Sequence, residues 1–480
     1  AGQSWAELDR KVDAAASALT ALGLHAGDRV ALQLGNTPDF PLTYFGALRA
    51  GLIAVPVNPG YTSDELRHVL ADSGARALVT SGTAAQAALD LTAQLPALET
   101  VLVAETDSAP AGARTLEDLL AGAPAGQVEA RAGGEDLAVV IYTSGTSGRP
   151  KGAMLTHRAL LANLDQGARI EPPAVTGDDV VLLVLPLFHI YGLNAGLGAV
   201  AQQAATGLLI ERFDPVETLA DIGRYQVTNV MGAPPMFVAW SMLPDIGAAF
   251  AQVRLAVSGS APLPAAVLQR MLDLTGRPVY EGYGLTETAP VLTTTLVSGV
   301  AKPDSIGKAL PGIELRLLDE RGAPVEEGDP GEIVVRGDNV FSGYWPDGSG
   351  GPDRDGWFAT GDVAYLDAEG DLHLVDRRRE LILVSGFNVY PREVEDVLLT
   401  HEAIAEVAVL GITHPYTGEA VKAMVVLQPG RRVSAEEVIE HAARSLARFK
   451  CPTAVEFVPV LPHSATGKVS KGRLREAAEG

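Results

Sequence analysis

The sequence predicts an α/β protein: a large N-terminal body of parallel sheets flanked by helices, a small β subdomain, and a small α+β C-terminal domain. Strand-like and helix-like runs alternate from Arg29 to Ser258, which is typical of parallel sheets covered on both faces. From Ile313 the pattern changes to short strands separated by turns. Beyond Arg379 another set of helices and strands indicates a separate unit. The length of 480 residues agrees, because one hydrophobic core rarely serves so long a chain.

The first elements are marked by helix caps and apolar spacing. Ser4 and Glu7 form a capping box, and apolar residues then recur at helical spacing until Gly23. Thr62 and Glu65 begin another helix in the same way. Strands are predicted at 29–34, 53–57 and 75–80, a helix at 39–50, and a surface connection with one short helix at 104–135.

The later strands bring several turns to one edge of a sheet. Runs 180–185, 229–232 and 254–258 each end at a turn that contains Gly or Pro. Open α/β sheets bind ligands at the carboxyl ends of their strands, so we expect the site there. Further strands are predicted at 314–318, 331–336, 363–366, 372–375, 405–411, 421–427 and 455–458, and helices at 391–400 and 435–446.

Composition excludes several classes of protein. The net charge of −22 argues against a nucleic-acid partner and against an anionic membrane surface. The single Cys451 excludes an intramolecular disulfide framework and fits a cytoplasmic location. No apolar stretch reaches about 18 residues, so we expect no transmembrane segment, and we see no signal peptide.

The stretch 142–152, Y-T-S-G-T-S-G-R-P-K-G, indicates a phosphate-binding loop. Its glycines let backbone N–H groups approach an anion, and its hydroxyls and Lys151 add donors and positive charge. It follows a buried-looking strand at 137–141, and we expect a helix capped by Thr156 after it. The pattern differs from the common P-loop, because a proline precedes the lysine and a glycine follows it. A solvated loop rich in small residues is the alternative.

Five further motifs accompany this loop in the chain. They are L-P-L-F-H-I-Y-G at 185–192, Y-E-G-Y-G-L-T-E-T at 280–288, A-T-G-D at 359–362, D-R-R-R-E-L-I-L-V-S-G-F-N-V-Y-P at 376–391 and S-A-T-G-K at 464–468. In this order the six motifs resemble the adenylate-forming superfamily of acyl-CoA synthetases, luciferases and peptide-synthetase adenylation domains. The S-G-F-N-V-Y-P version is most similar to bacterial fatty-acyl-CoA synthetases. Family members usually have additional residues before the position of Ala1.

The resemblance implies roles in holding ATP. Thr286 and Glu287 match residues that contact phosphate and Mg²⁺, and a carboxylate shared with phosphate oxygens is a usual way to hold that ion. The residues that match the phosphate loop are Thr143, Ser144, Gly145, Thr146 and Lys151. Those that match adenine contacts are Tyr283, Gly284, Gly259, Ser260 and Ala261, and those that match ribose contacts are Asp362 and Arg377.

The resemblance also implies a two-step reaction with a mobile C-terminal domain. It places the N-terminal adenylation domain at 1–376, a hinge at 377–379 and the mobile domain at 380–480. Lys468 would reach the α-phosphate during adenylation, and Gly386 would line the path of CoA in the second step. As isolated residues, the two read as a surface lysine and a turn glycine. His189 would border the tunnel where acid and CoA meet, or serve only as a structural histidine.

We expect a ligase that uses ATP, Mg²⁺ and CoA to form a fatty acyl-adenylate and then the acyl-CoA. The candidate acid pocket, 191–198 and 230–240, has no Lys or Arg, which disfavours diacids because a second carboxylate would lack a partner. The motif at 185–192 lacks the aspartate that amino-acid adenylation domains use. The alternatives are an aryl-CoA ligase, an acyl-AMP ligase that supplies a carrier protein, a luciferase-type oxygenase, and a non-catalytic nucleotide-binding module.

Overall fold

The structure is a computed structural model, and it describes residues 2–106, 108–124, 126–130, 132–144, 150–261, 263–319, 321–326, 328–377, 382–389, 391–462 and 474. The chain divides into two compact units. Unit one comprises Ala1–Pro59, Arg67–Tyr142 and Gly152–Asp376, and unit two comprises Gly60–Leu66, Thr143–Lys151 and Arg377–Gly480. The domain assignment with its hinge stays a prediction, and residues 378–379 lie outside the described residues.

The first part of the chain folds into a mostly parallel sheet with flanking helices. Its elements are α1 (Trp5–Ala21), β1 (Arg29–Gln33), α2 (Asp39–Arg49), β2 (Ile53–Pro56), α3 (Ser63–Ser73), β3 (Ala77–Ser81), α4 (Ala85–Thr92), β4 (Thr100–Ala104), β5 (Arg114–Thr115), α5 (Leu116–Ala121), β6 (Leu137–Ser144), β7 (Pro150–Thr156) and α6 (His157–Ala168). Among the described residues the strand order is β5-β4-β3-β1-β2-β6-β7, and every pair from β5 to β6 is parallel. The predicted capping box of α1 is present, because the Ser4 hydroxyl accepts from the Glu7 amide.

One strand of this region was not predicted. The phosphate loop does not lead directly into a helix, because β7 lies between the loop and α6. β7 is the neighbour of β6 in the sheet, so the loop joins two adjacent strands. Thr156 does cap α6, as expected, by accepting from the amide of Ala159 at 3.1 Å. The N-terminus of α6 therefore follows the end of β7 that is distant from the loop. The dipole of α6 does not explain phosphate binding at the loop.

A second mixed sheet follows. Its elements are β8 (Val180–Leu183), a π-helix (Tyr191–Gly198), α7 (Ala199–Gln202), β9 (Thr206–Leu209), α8 (Pro215–Arg224), β10 (Asn229–Gly232), α9 (Pro234–Trp240), α10 (Ile246–Ala249), a 3₁₀ turn (Phe250–Gln252), β11 (Leu255–Ser258), α11 (Ala265–Thr275), β12 (Val279–Gly284), a 3₁₀ turn (Thr286–Thr288), β13 (Val291–Thr294), α12 (Thr295–Ser298) and β14 (Lys308–Ala309). In the part of the chain that the structure describes, the order is β14-β13-β12-β11-β10-β8-β9. The pairs from β9 to β12 are parallel, and β12–β13–β14 are antiparallel.

The predicted β subdomain is a sheet of β15 (Glu314–Leu318), β16 (Gly331–Arg336), β17 (Phe358–Leu366) and β18 (Leu372–Arg377). β15, β16 and β17 pair antiparallel, as their short strands and turns predict. Arg316 and Arg336 both lie over the ring of Trp357, at 3.9 and 4.7 Å from its centroid. These cation–π contacts cover the outer face of the sheet.

Unit two has its own core. Its elements are β19 (Ile382–Val384), β20 (Phe387–Val389), α13 (Pro391–Leu398), β21 (Ile404–His414), β22 (Gly418–Leu427), α14 (Ala435–Ala443), a 3₁₀ turn (Arg448–Lys450) and β23 (Ala454–Phe457). Lys450 is buried there, with Nζ 2.9 Å from Glu393 Oε1 and 3.2 Å from Glu65 Oε1. Sequence patterns alone do not indicate this buried cluster.

The observed sheets and helices confirm the predicted fold class. Among the described residues, none of the helices has the length and apolar character that crossing a membrane requires.

Candidate active site

Three neighbouring strands carry the predicted nucleotide motifs to one sheet edge. β10, β11 and β12 pair in parallel, with Gly232 opposite Ser258 and Ser258 opposite Glu281. The carboxyl ends of these strands therefore lie side by side, where open sheets bind ligands. The Gly259–Ala261 loop leaves β11 there, Tyr283 and Gly284 end β12, and Thr286 and Glu287 lie on the 3₁₀ turn that follows it.

The loop after β11 has a fixed backbone. Ser260 has a left-handed φ of +71°, and a Cβ added to Gly259 would come within 2.9 Å of the Tyr191 ring. The Leu263 amide donates to Glu281 Oε2 at 3.0 Å. Burial raises the pKa of Glu281 to about 7, and its Oε1 has no hydrogen-bond partner among the described residues. Sequence reasoning missed Glu281, although it lies inside the Y-E-G-Y-G-L-T-E-T motif.

Tyr283 and Asp362 are brought together from two sheets. The Tyr283 hydroxyl donates to Asp362 Oδ2 at 2.7 Å, and both residues are 6% exposed. The Asp362 amide also donates to the Thr360 hydroxyl at 3.2 Å. These contacts fix an aromatic ring beside a carboxylate that is able to accept from ribose hydroxyls. The sequence predicts the two residues separately but not their contact.

Glu287 lies on the 3₁₀ turn Thr286–Thr288 and is partly buried. The Tyr344 hydroxyl donates to Glu287 Oε1 at 2.6 Å, and the Phe341 amide donates to the Glu287 carbonyl at 2.9 Å. Burial raises the pKa of Glu287, and the hydrogen bond from Tyr344 opposes that shift. Sequence reasoning missed Tyr344, because nothing in its local pattern distinguishes it from a packing residue.

The donors at this turn fit Mg²⁺ in kind. The Glu287 carboxylate and the Thr286 hydroxyl are hard oxygen ligands, which that ion prefers. No group of three or more His, Cys, Asp and Glu side chains suited to a metal occurs in the described ranges. A metal at Glu287 would therefore take most of its ligands from phosphates and water.

His189 begins an irregular segment beside the site. Burial lowers the pKa of His189 to about 4, so the imidazole is neutral and weakly basic at pH 7. Its Nδ1 accepts from the Tyr191 amide at 3.3 Å. The π-helix Tyr191–Gly198 follows, and the Asn194 side-chain amide donates to the carbonyls of Leu160 and Ala289 at 3.0 and 2.7 Å. π-Helices are rare and often occur at functional sites.

The prediction that 230–240 lines the acid pocket is wrong for the second half of this range. Phe237 and Trp240 are fully buried in a core cluster, and the Trp240 ring packs edge-on against Phe213 and Phe250. These side chains pack in the core and have no exposed surface in this structure. Met236 is only partly buried and lies near Gly232, so the pocket candidates in this range reduce to its first half.

The remaining predicted site residues are described only in part. Thr143 is the penultimate residue of β6 and is partly buried, and Lys151 is exposed on β7. Gly145, Thr146 and Lys468 lie outside the described residues, as do the side chains of Ser144 and Arg377.

Gly386 lies in the two-residue turn between β19 and β20. Ser385 and Gly386 both have positive φ, +52° and +81°. This is the requirement of a type I′ hairpin turn, so the backbone itself favours glycine here.

Family models match most of the chain. The model described as AMP-binding enzyme matches residues 2–345, and the AMP-binding enzyme C-terminal domain matches residues 393–468. A long-chain-fatty-acid–CoA ligase of Yersinia pestis is 37% identical over 484 residues, which cover 95% of this chain and 86% of that protein. A feruloyl-CoA synthase from an Amycolatopsis species is also 37% identical, over 98% of this chain and 93% of that protein.

Solved structures agree with this assignment. An amide bond synthetase from Marinactinospora thermotolerans has a TM-score of 0.90 at 29% identity, with 98% of this chain and 94% of that chain covered. The match to the family model and the similarity to CoA ligases confirm the predicted family and the predicted use of ATP and CoA. The chain belongs to the AMP-binding enzyme family and is an AMP-forming acid–CoA ligase that activates its acid as an acyl-adenylate.

Proposed function

We propose that the acid is a medium- or long-chain fatty acid. The observation that carries this proposal is the lack of Lys and Arg in 191–198 and 230–236, the stretches that remain candidates for lining the acid pocket. A buried acyl chain needs apolar walls, whereas a second carboxylate would need a cationic partner. The likeness to long-chain-fatty-acid–CoA ligases supports the same substrate class. The single buried Cys451 and the use of ATP and CoA support a cytoplasmic location.

In the first half-reaction, the carboxylate of the acid attacks the α-phosphorus of ATP and expels pyrophosphate. The buried Asp362 accepts bonds from the ribose, and the ring of Tyr283, fixed by its bond to Asp362, supports adenine. The Gly259–Ala261 loop lies against the other side of the base. Thr286 and the loop of Thr143, Ser144, Gly145, Thr146 and Lys151 hold the phosphates, and Lys468 neutralises charge that develops at the α-phosphate.

The proposal includes Mg²⁺, which Glu287 would hold. When bound with ATP, the ion supplies charge neutralisation at the phosphate oxygens. Glu287 would hold it by the carboxylate oxygen that does not accept from Tyr344. His189 stays neutral and borders the reacting carboxyl group without acting as a general base, because the acid is already ionised.

In the second half-reaction, the thiol of CoA attacks the acyl carbonyl carbon, the bond to phosphate breaks, and AMP leaves. We place Gly386 beside the path of CoA and assign the change between the two steps to the hinge 377–379 and the C-terminal domain 380–480. A carrier protein would replace CoA if the chain were an acyl-AMP ligase. The sequence contains no insertion between Arg379 and Pro391 of the kind that blocks CoA use.

An aryl acid is the second candidate substrate, and one observation favours it. The hydroxyl of Tyr191 is buried, and no described residue accepts its hydrogen bond. A buried donor without a partner costs about 1–3 kcal/mol, which a phenolic or methoxy oxygen on the substrate would offset. The likeness to a feruloyl-CoA synthase points the same way.

One experiment separates the two candidates. The protein is incubated with ATP, Mg²⁺, CoA and, in turn, decanoate, palmitate, ferulate, acetate, malonate or phenylalanine, and release of AMP is measured. We expect kcat/KM for decanoate or palmitate to exceed that for acetate and malonate at least about 100-fold, since each buried methylene contributes about 0.8 kcal/mol. Fastest turnover of ferulate would select the aryl candidate, and fastest turnover of malonate or phenylalanine would contradict both.

A further inference from the structure

The segment 341–345, here called the bridging segment, connects two parts of the proposed ATP site. On one side, its first amide donates to the carbonyl of Glu287 at 2.9 Å. On the other side, it exchanges three backbone hydrogen bonds of 2.7 to 3.0 Å with Gly152 and Met154 of β7. β7 is the strand that leaves the phosphate loop, so the segment ties that strand to the turn that carries Glu287.

Tyr344 is held rigidly within the bridging segment. Its amide donates to the Ser349 carbonyl at 2.9 Å, and its ring packs edge-on against Phe341 at a centroid distance of 5.1 Å. Gly350, with φ of +67°, lies so close that an added Cβ would come within 3.1 Å of the ring. A ring fixed in this way leaves its hydroxyl little freedom, and that hydroxyl donates to Glu287 Oε1 at 2.6 Å.

The next residue ties the bridging segment to the strand that enters the phosphate loop. The Trp345 indole donates to the carbonyl of Asp72 at 3.0 Å. The Tyr142 hydroxyl donates to the carboxylate of the same Asp72 at 2.6 Å, and Tyr142 lies in β6, the strand that enters the loop. The strands on both sides of the loop are therefore tied, within unit one, to the segment that carries Tyr344.

We propose that Tyr344 is a positioning residue for Glu287. Its hydrogen bond occupies one carboxylate oxygen and directs the other toward the metal–nucleotide complex. The contacts of the bridging segment keep Tyr344 in a fixed position relative to β6 and β7, the strands on either side of the phosphate loop. This inference rests on the proposed role of Glu287 in holding Mg²⁺. A carboxylate with one oxygen already engaged binds a metal through a defined geometry and loses less rotational freedom on binding.

The test is Tyr344→Phe, which removes only the hydroxyl and keeps the ring packing. ATP binding is measured by calorimetry with and without Mg²⁺, and the Mg²⁺ concentration for half-maximal acyl-adenylate formation is measured separately. A hydrogen bond to a charged group predicts a roughly 10-fold or greater rise in that Mg²⁺ concentration and a similar weakening of Mg²⁺-dependent ATP affinity. Metal-free ATP affinity should change less than about 2-fold, because the adenosine contacts are untouched.

The matched control is Tyr365→Phe, since Tyr365 stacks on His373 with ring centroids 5.0 Å apart and is not one of the proposed ATP-site residues. It should leave all three measurements unchanged. Combining Tyr344→Phe with Glu287→Gln sharpens the test. If Tyr344 acts through Glu287, the double variant should need no more Mg²⁺ than Glu287→Gln alone, whereas independent effects would add.

Three results would overturn the inference. The first is an unchanged Mg²⁺ requirement in Tyr344→Phe while Glu287→Gln raises it, which would leave the proposed function intact. The second is an equal loss of ATP affinity with and without Mg²⁺, which would make Tyr344 a packing residue. An unchanged requirement in Glu287→Gln itself would contradict the metal role and this inference together. Circular dichroism of each variant checks that the fold is retained.

Discussion

At the scale of single residues, Glu281 makes stability depend on pH. Its pKa is raised to about 7 by burial, whereas an unfolded glutamate titrates near 4.5. Between these values the folded state binds the extra proton, so stability falls as pH rises from about 4.5 to about 7. In the parent, the unfolding free energy should therefore decrease from pH 5 to pH 8. We expect this decrease to be about 2–3 kcal/mol smaller in Glu281→Gln, as measured by urea unfolding at each pH.

The control for this pH effect is Glu436→Gln, an exposed carboxylate in the first turn of α14. In Glu436→Gln, the change in unfolding free energy between pH 5 and pH 8 should stay within about 0.5 kcal/mol of the change in the parent. The glutamine at 281 still offers an oxygen to the Leu263 amide, so the loop contact at 3.0 Å is retained. A pH dependence as steep in Glu281→Gln as in the parent would show that other groups carry it.

Sequence motifs predict which residue types reach the site but not how those residues are held. Asp362 and Glu287 stand out because their motifs match a known pattern, and the fold gives each a tyrosine hydroxyl partner. Tyr344 is 57 positions from Glu287, and Tyr283 is 79 positions from Asp362. Contacts over such separations depend on sheet register and loop geometry, which local patterns do not encode. The placement of the predicted site residues as a functional set stays a prediction.

At the scale of elements, apolar patterns predict most strands because these strands are buried. β10, β15 and β16 begin and end at the residues predicted from sequence. β7 was missed because it opens with Pro150, Lys151 and Gly152, which read as the exit of a loop. A Cβ at Gly152 would come within 2.5 Å of Val140, so close packing against β6 explains a glycine inside this strand.

The buried cluster around Lys450 gives a stability prediction for unit two. Lys450 is 2% exposed and its ammonium contacts both Glu393 and Glu65. Burial opposes the charged form, but the electrostatic influence of Tyr61, Glu393 and Glu65 outweighs it and raises the pKa of Lys450, so the ammonium stays charged at pH 7. We expect Lys450→Met to lower the unfolding free energy by about 3–5 kcal/mol, because it leaves two buried carboxylates without their cation. Thermal unfolding followed by calorimetry measures this.

Lys422→Met is the matched control, since Lys422 pairs with the half-exposed Glu456 at 2.8 Å. An ion pair whose carboxylate is half-exposed contributes about 1 kcal/mol, so the melting temperature should move less than in Lys450→Met. The double change Glu65→Gln with Glu393→Gln in the Lys450→Met background should recover part of the loss. Equal destabilisation by Lys450→Met and Lys422→Met would contradict the cluster's importance.

At the scale of the whole molecule, the proposed two-step reaction predicts that the half-reactions separate. Lys468 should matter only while negative charge builds around phosphorus, so Lys468→Ala should slow acyl-adenylate formation about 10²–10⁴-fold. It should leave conversion of supplied acyl-AMP and CoA to the thioester nearly intact, because thiol attack on a finished adenylate gains nothing from that ammonium. Rapid-quench assays of each half-reaction measure both rates.

Gly386 should show the reverse behaviour, and the structure decides which substitution can test it. A branched side chain at φ of +81° would strain the turn between β19 and β20, so Gly386→Leu would confuse folding with function. Asparagine tolerates this conformation and still adds a side chain. Gly386→Asn should therefore slow thioester formation at least about 10-fold while acyl-adenylate formation stays within about 2-fold. Gly430→Asn, in an exposed turn of unit two with φ of +78°, is the matched control and should affect neither half. If Lys468→Ala and Gly386→Asn each slow both half-reactions equally, the assignment of Lys468 to the first step and of Gly386 to the second is wrong.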